Sequence, residues 1–126
     1  MIKIKYLPIM MFTTLYLQQV RIMIALIYPL NSIYKKYANK PSDPMAQFYL
    51  AEMYFEGKGV SKNYSRAIEW YIKSANQGYA DAQLELGYLY YYGDVIKQDK
   101  DKASELFKKA CLNGIEDYDE LCAEWR

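Results

Sequence analysis

Residues 46–57 read AQFYLAEMYFEG, and residues 82–93 read AQLELGYLYYYG, 36 positions further along the chain. The same register continues beyond these segments, through the pairs Asn63/Asp99, Ala67/Ala103 and Gly78/Gly114. A repeat of this length is typical of stacked helical hairpins, in which each unit buries its apolar face only against its neighbours. The repeat therefore predicts an all-α fold, a short α-solenoid of antiparallel helix pairs.

Each repeat contains the signals of two helices. Asp43 before Pro44 predicts a helix start, because Asp caps free N–H groups and proline needs none at the first helical position. The inward face of that helix is predicted to contain Ala46, Leu50, Met53 and Tyr54. Gly57 predicts its end. The second helix of this repeat is predicted to begin after Asn63. In the next repeat, the first helix is predicted over residues 80–92 and the second over residues 100–113, after a cap at Asp99.

The chain divides into five predicted parts. They are a hydrophobic N-terminal segment (1–28), a half repeat (29–42), repeat one (43–79), repeat two (80–115) and a C-terminal capping helix (116–126). The half repeat rests on the similarity of residues 34–39, YKKYAN, to residues 71–76, YIKSAN.

The N-terminal segment admits three interpretations. A basic start followed by the apolar run 7–17 is typical of an export signal, although no small-x-small cleavage site follows. The second interpretation is a helix that caps the open end of the array. The third is a membrane span over residues 7–28, in which Arg21 would cost about 2.5–3.5 kcal/mol at the helix centre. The segment favours a periplasmic or membrane-associated location, with the cytoplasm left open.

Composition argues against several functional classes. Sixteen basic and fifteen acidic residues nearly balance, so no net charge attracts nucleic acid. Histidine is absent, which removes the commonest general base and metal ligand. Residues 57–59 read GKG, but the further residues that a phosphate-binding loop requires are not present around them. We therefore expect a non-enzymatic protein without catalytic residues, metal site or cofactor, and without nucleic acid as a partner.

The two cysteines, Cys111 and Cys122, match no zinc or redox motif. In an oxidising compartment they would pair across neighbouring helices, and in a reducing one they would be small buried apolar residues. Burial is favoured because Cys111 aligns with Ala75 and Cys122 with Leu86.

The repeats resemble the Sel-one-like repeat (SLR), a relative of the tetratricopeptide repeat, over roughly residues 30–126. In the first repeat the resemblance rests on Ala46, Leu50, Tyr54, Gly57, Gly59, Val60, Ala67, Trp70, Tyr71, Lys73, Ala75 and Gly78. In the second it rests on Ala82, Leu86, Gly87, Tyr90, Gly93, Ala103, Phe107, Lys109, Ala110 and Gly114. Val95 replaces the second turn glycine, which predicts a different loop path there.

This resemblance implies a right-handed superhelix whose first helices line a concave face that holds partner proteins. Members are typically adaptors in signalling, secretion or protein-quality assemblies, and bacterial ones are often exported. Some bacterial members resemble immunity proteins that neutralise toxic effectors, including lipases of the type six secretion system. A protein-binding module is therefore the first hypothesis, and an immunity protein is the alternative.

Partner-binding residues are expected beside the inward-facing positions of each first helix. The candidates are Phe48, Glu52, Phe55, Leu84, Tyr88, Tyr91 and Tyr92. Aromatic side chains exposed there would be contact anchors, because tyrosine is enriched at binding hot spots. The alternative for Phe48 and Tyr88 is packing against a neighbouring helix, whereas Tyr91 and Tyr92, beside the turn, are expected to be exposed.

Overall fold

The computed structural model describes residues 7–38, 43–115 and 118–123. The described residues form six helices, α1 (Leu7–Ala38), α2 (Pro44–Glu56), α3 (Tyr64–Asn76), α4 (Ala80–Tyr92), α5 (Lys100–Leu112) and α6 (Asp119–Cys122). Each helix packs on the next one in the chain, most extensively within the pairs α2/α3 and α4/α5. The predicted array of helix pairs is confirmed.

Local sequence signals account for the helix boundaries. The side chains of Asp43, Asn63 and Asp99 each accept a hydrogen bond from the backbone N–H three residues on, at 3.0 Å in all three cases. These bonds satisfy N–H groups that have no partner inside the helix. Gly57 and Gly93 end α2 and α4 with φ values of 72° and 73°, a conformation that favours glycine. The predicted caps are confirmed.

The core between the helices combines small and large residues. Alanine occupies its most crowded positions, including Ala51, Ala67, Ala82 and Ala103, all fully buried. Larger buried side chains from successive helices fill the space between them, namely Leu50, Tyr54, Tyr71, Leu86, Tyr90 and Leu106. One continuous core therefore joins both repeats, as expected when each unit is stabilised by its neighbours.

A buried glutamine lies at each junction between consecutive repeats. Gln83 Nε2 donates to the carbonyl oxygen of Ala75 at 3.0 Å, and its Oε1 accepts from Asn113 Nδ2 at 2.9 Å. Gln47 makes the equivalent pair of bonds one repeat earlier. Buried polar groups are tolerated when they are hydrogen-bonded, so these glutamines join the end of one repeat to the start of the next.

The C-terminal part of α1 packs on the first pair. Ala38 is buried, and the Tyr34 and Tyr49 rings lie 5.3 Å apart. Asn31 Nδ2 donates to the carbonyl oxygen of Gly59 at 2.7 Å. Side chains 12–26 are exposed except for half-buried Val20. Helix α1 continues without a break through residue 28. The predicted boundary between the N-terminal segment (1–28) and the half repeat (29–42) therefore stays a prediction.

In the described parts of the chain, no helix is both long and apolar enough to cross a lipid bilayer.

Helix α6 lies against α5 at the far end of the array. Cys111 and Cys122 form a disulfide with a Cα–Cα distance of 5.3 Å, and both are buried. The two features offered as alternatives from the sequence, pairing and burial, thus occur together. Residues 116, 117 and 124–126 of the predicted capping helix lie outside the described residues.

Candidate protein-interaction face

Exposed and half-buried side chains of α2 and α4 form a candidate surface. We call it the first-helix face; it consists of Met45, Tyr49, Glu52, Glu56, Asp81, Glu85, Tyr88 and Tyr92. These positions follow the spacing i, i+4, i+7, i+11 in both helices, which places them in one stripe. All eight are exposed or half-buried.

Phe48 and Phe55 form the border between this face and α3. Their rings lie 5.9 and 6.3 Å from the ring of Tyr71, and both side chains are half-buried. Phe48 also contacts Tyr79, at 5.3 Å between ring centroids. Packing against neighbouring helices, the alternative considered for Phe48, therefore applies to both phenylalanines.

Leu84 does not line an open surface. It is 3% exposed and packs with Ala110, Cys111, Ile115 and Cys122. The prediction that this side chain faces a concavity is wrong, because α6 and the segment after α5 cover it.

The tyrosines at the end of α4 remain accessible. Tyr91 and Tyr92 are 44% and 63% exposed, which agrees with the exposure predicted for them. Tyr88 is half-buried, with its ring 5.1 Å from Phe107 and stacked 6.3 Å from Tyr92. Burial raises the pKa of the Tyr88 phenol, so it stays protonated and can donate a hydrogen bond.

Carboxylates surround the middle of the face. Glu52 accepts a hydrogen bond from the Tyr71 hydroxyl. Burial raises the pKa of Tyr71, and the bond to Glu52 and the nearby charge of Glu85 raise it further. Burial also raises the pKa of Glu85, with smaller contributions from the charges of Glu52 and Asp81. The charge of Glu52, on α2, thus acts on Glu85, on α4.

Residues 7–38, 43–115 and 118–123 contain no group of three or more His, Cys, Asp or Glu that could hold a metal ion.

Five residues of the face were not among the candidates predicted from the sequence, namely Met45, Tyr49, Glu56, Asp81 and Glu85. No pattern in the sequence identifies them, because the burial of Gln47 and Ala51, which widens the buried arc of α2 beyond its large apolar residues, depends on packing against other helices. As a result, the exposed side of α2 is centred one residue further along than predicted. It is centred on the stripe that contains Tyr49, and not on the stripe that contains Phe48 and Phe55.

Comparison with known proteins agrees with the architecture. The family profile of the Sel1 repeat matches residues 44–79 and 80–115. A sel1-like repeat-containing protein of Acanthamoeba polyphaga mimivirus, L21, is 39% identical over 75 residues, which is 60% of this chain and 13% of the viral protein. A second one, L18, is 48% identical over 42 residues, 33% of this chain and 7% of that protein. The chain thus spans a small part of these relatives.

Solved structures show the same fold. A Sel1 repeat protein from Oxalobacter formigenes superposes with a TM-score of 0.67 and 35% identity, over 75% of this chain and 37% of that chain. The protective antigen c5321 of uropathogenic Escherichia coli, which has an SLR fold, gives 0.66 and 29% identity, over 75% of this chain and 20% of its own. Helicobacter pylori cysteine rich protein B gives 0.57 and 30% identity, with coverages of 64% and 59%. With both predicted repeats matched by the family profile, this chain belongs to the Sel1 repeat family.

Proposed function

We propose that this chain is a non-enzymatic module that binds a partner protein on the first-helix face, and that this face is the concave side of the repeat array. The Sel1 repeat is in general a protein-interaction repeat without enzymatic activity. The observation that carries the proposal is the set of accessible tyrosines on this face, Tyr49, Tyr88 and Tyr92, together with the adjacent Tyr91.

The rings of these tyrosines are already held by other rings. Tyr49 lies 5.3 Å from Tyr34 and 5.5 Å from Phe48, and Tyr88 lies 5.1 Å from Phe107. A side chain held in this way loses little conformational freedom on binding, so more of its contact energy contributes to affinity. Packed tyrosines with one accessible edge are therefore suitable anchors for a polypeptide.

The test is partner capture with the tagged full-length chain from its native cells, read by mass spectrometry. The variant Tyr49→Ala/Tyr91→Ala/Tyr92→Ala removes three exposed rings, and the matched control Ile72→Ala/Leu112→Ala removes exposed apolar side chains from α3 and α5. We expect the triple variant to lose the partner and the control to keep it, with unchanged circular dichroism in both. Full retention of the partner by a folded triple variant would contradict the proposed site.

The identity of the captured protein separates the two hypotheses made from the sequence. A single near-stoichiometric toxic effector, whose activity the chain abolishes, would support the immunity alternative. Several regulatory or envelope proteins would support an adaptor. Turnover of a substrate by the purified chain would contradict the non-enzymatic proposal.

A further inference from the structure

Charges separate by helix in the described structure. The first helices, α2 and α4, carry Glu52, Glu56, Asp81 and Glu85 and contain no Lys or Arg. The second helix of each pair carries cations beside its carboxylates, namely Arg66, Lys73, Lys100, Lys102, Lys108 and Lys109, together with Glu69, Asp101 and Glu105. The first-helix face is therefore acidic although the whole chain is nearly neutral.

Several of these cations are engaged away from the first-helix face. Arg66 Nη1 donates to the Tyr54 hydroxyl at 3.2 Å, and Lys102 Nζ lies 4.5 Å from the centre of the Tyr90 ring. Lys58, in the loop after α2, pairs with Glu56, a member of the face, and the charge of Glu52 also acts on Lys58. Neither Glu52 nor Glu85 forms a salt bridge with another described residue.

Each first helix presents a carboxylate and a tyrosine ring three residues apart. In α2 the pair is Tyr49 and Glu52, and in α4 it is Glu85 and Tyr88. Residues at this spacing are neighbours on a helix surface. A guanidinium can stack on a ring while donating to a carboxylate, and an ammonium can do the same less specifically.

On the basis of the proposed function, we infer that the partner docks a basic segment, rich in arginine or lysine, on the first-helix face. Its cations pair with Glu52 and Glu85 and stack on Tyr49 and Tyr88. Charge complementarity favours this occupant over an acidic or purely apolar one, because neither of those would supply cations to the two half-buried carboxylates.

The first experiment selects binders from a phage library of random dodecapeptides on the immobilised full-length chain. We expect the selected peptides to be enriched in Arg and Lys and depleted in Asp and Glu relative to the unselected library. Enriched binders without a basic preference would overturn this inference while leaving the proposed function intact. A library that yields no enriched peptide would contradict both.

The second experiment measures the affinity of the selected basic peptides by fluorescence anisotropy. The variant Glu52→Gln/Glu85→Gln removes both charges and keeps an oxygen that can accept from the Tyr71 hydroxyl. The control Glu69→Gln/Glu105→Gln removes two exposed carboxylates from repeat-equivalent positions of α3 and α5. We expect binding to weaken about tenfold or more only in the first variant, and its salt dependence to decrease. Equal effects in both variants would overturn the assigned pairing.

Discussion

At the scale of single residues, Gly87 shows how the two repeats solve the same packing problem differently. An added Cβ at Gly87 would lie 2.6 Å from Phe107 Cε1 and 2.8 Å from Cδ1. The first repeat has buried Ala51 at the position equivalent to Gly87, and Tyr71 at the position equivalent to Phe107. Glycine in the second repeat therefore allows the Phe107 ring to approach the α4 backbone.

We expect Gly87→Ala to destabilise the fold although alanine favours helix. Steric overpacking typically costs about 1–3 kcal/mol, and the gain in helix propensity is about 1 kcal/mol, so a net loss of about 1 kcal/mol is expected. Urea unfolding measures this change. The loss should shrink in a Phe107→Leu background, where the ring is absent, and an equal loss in both backgrounds would contradict the explanation.

Gln83 is the residue whose polarity matters most to the junction between repeats. We expect Gln83→Leu to lower the free energy of unfolding by about 2–3 kcal/mol, because the Ala75 carbonyl and the Asn113 amide lose their partner. The control is Gln98→Leu, which removes an exposed bond to the Tyr91 carbonyl and should change stability by less than about 0.5 kcal/mol. Similar effects of the two substitutions in chemical denaturation would be evidence against a structural role for Gln83.

Glu85 should make stability depend on pH. Its pKa is raised in the folded chain, chiefly by burial, so the protonated form is favoured by folding and ionisation is unfavourable. The stabilising contribution is complete below the pKa of the unfolded chain and is lost as pH rises through the folded value. We expect Glu85→Gln to be the more stable protein near neutral pH, by less than about 1 kcal/mol because water screens the half-exposed carboxylate.

Thermal melts of the wild type and Glu85→Gln at about pH 4 and about pH 7 test this prediction. The advantage of the variant should decrease at the lower pH. Glu69→Gln, at an exposed position, is the control and should show no such advantage at either pH. A constant difference between wild type and Glu85→Gln across this range would refute the prediction.

At the scale of helices, the disulfide occupies a position that the array uses for packing elsewhere. Cys111 and Cys122 correspond to Ala75 and Leu86, which both belong to the core at the preceding junction between repeats. The bond therefore adds a covalent link where the preceding junction depends on apolar contact. It ties the four-residue helix α6, too short to be stable alone, to α5.

We expect Cys111→Ala/Cys122→Leu to fold, because it reproduces the pair found at the preceding junction. Closing a loop of this length contributes about 3 kcal/mol in the chain-entropy model, so the variant should be less stable than the oxidised wild type by up to that amount. Cys111→Ser/Cys122→Ser should be less stable still, because it buries two hydroxyl groups. Equal denaturation midpoints for the two variants would contradict this assignment.

At the scale of the whole molecule, each helix is stabilised mainly by the helices before and after it in the chain. Helices α3 and α4 have packed neighbours on both sides. Helix α6, in contrast, lies at the end of the array against α5 and Leu84 of α4, and residues 12–26 of α1 are exposed except for half-buried Val20. In such linear arrays, stability is approximately a sum of terms for units and their interfaces. Opening should therefore begin at the ends.

Hydrogen exchange measured by mass spectrometry tests this distribution. We expect the slowest amide exchange in α3 and α4, and faster exchange in α6 and in residues 12–26. Reduction of the disulfide should accelerate exchange in α6 and the C-terminal part of α5 while leaving α3 unchanged. Uniform protection along the chain would show that the array opens as one cooperative unit instead.

The repeat register determined the helix pairs, and short-range signals determined their ends. Asp43, Asn63 and Asp99 act on N–H groups three residues away, and Gly57 and Gly93 act through their own backbone, so neighbouring sequence was sufficient to predict them. Family membership followed from the same pattern. The exposure of Tyr91 and Tyr92 was also predictable, because both lie beside a turn at the end of a helix.

Only the tertiary structure decided which side of each first helix faces solvent. The burial of Gln47 depends on carbonyl and amide groups from other helices, and the burial of Leu84 depends on α6. Gly59 is needed because its loop lies against Ile27 of α1, a contact between residues 32 positions apart. Helix periodicity predicts which residues share a face, but burial depends on what packs against that face, and those partners are distant in sequence.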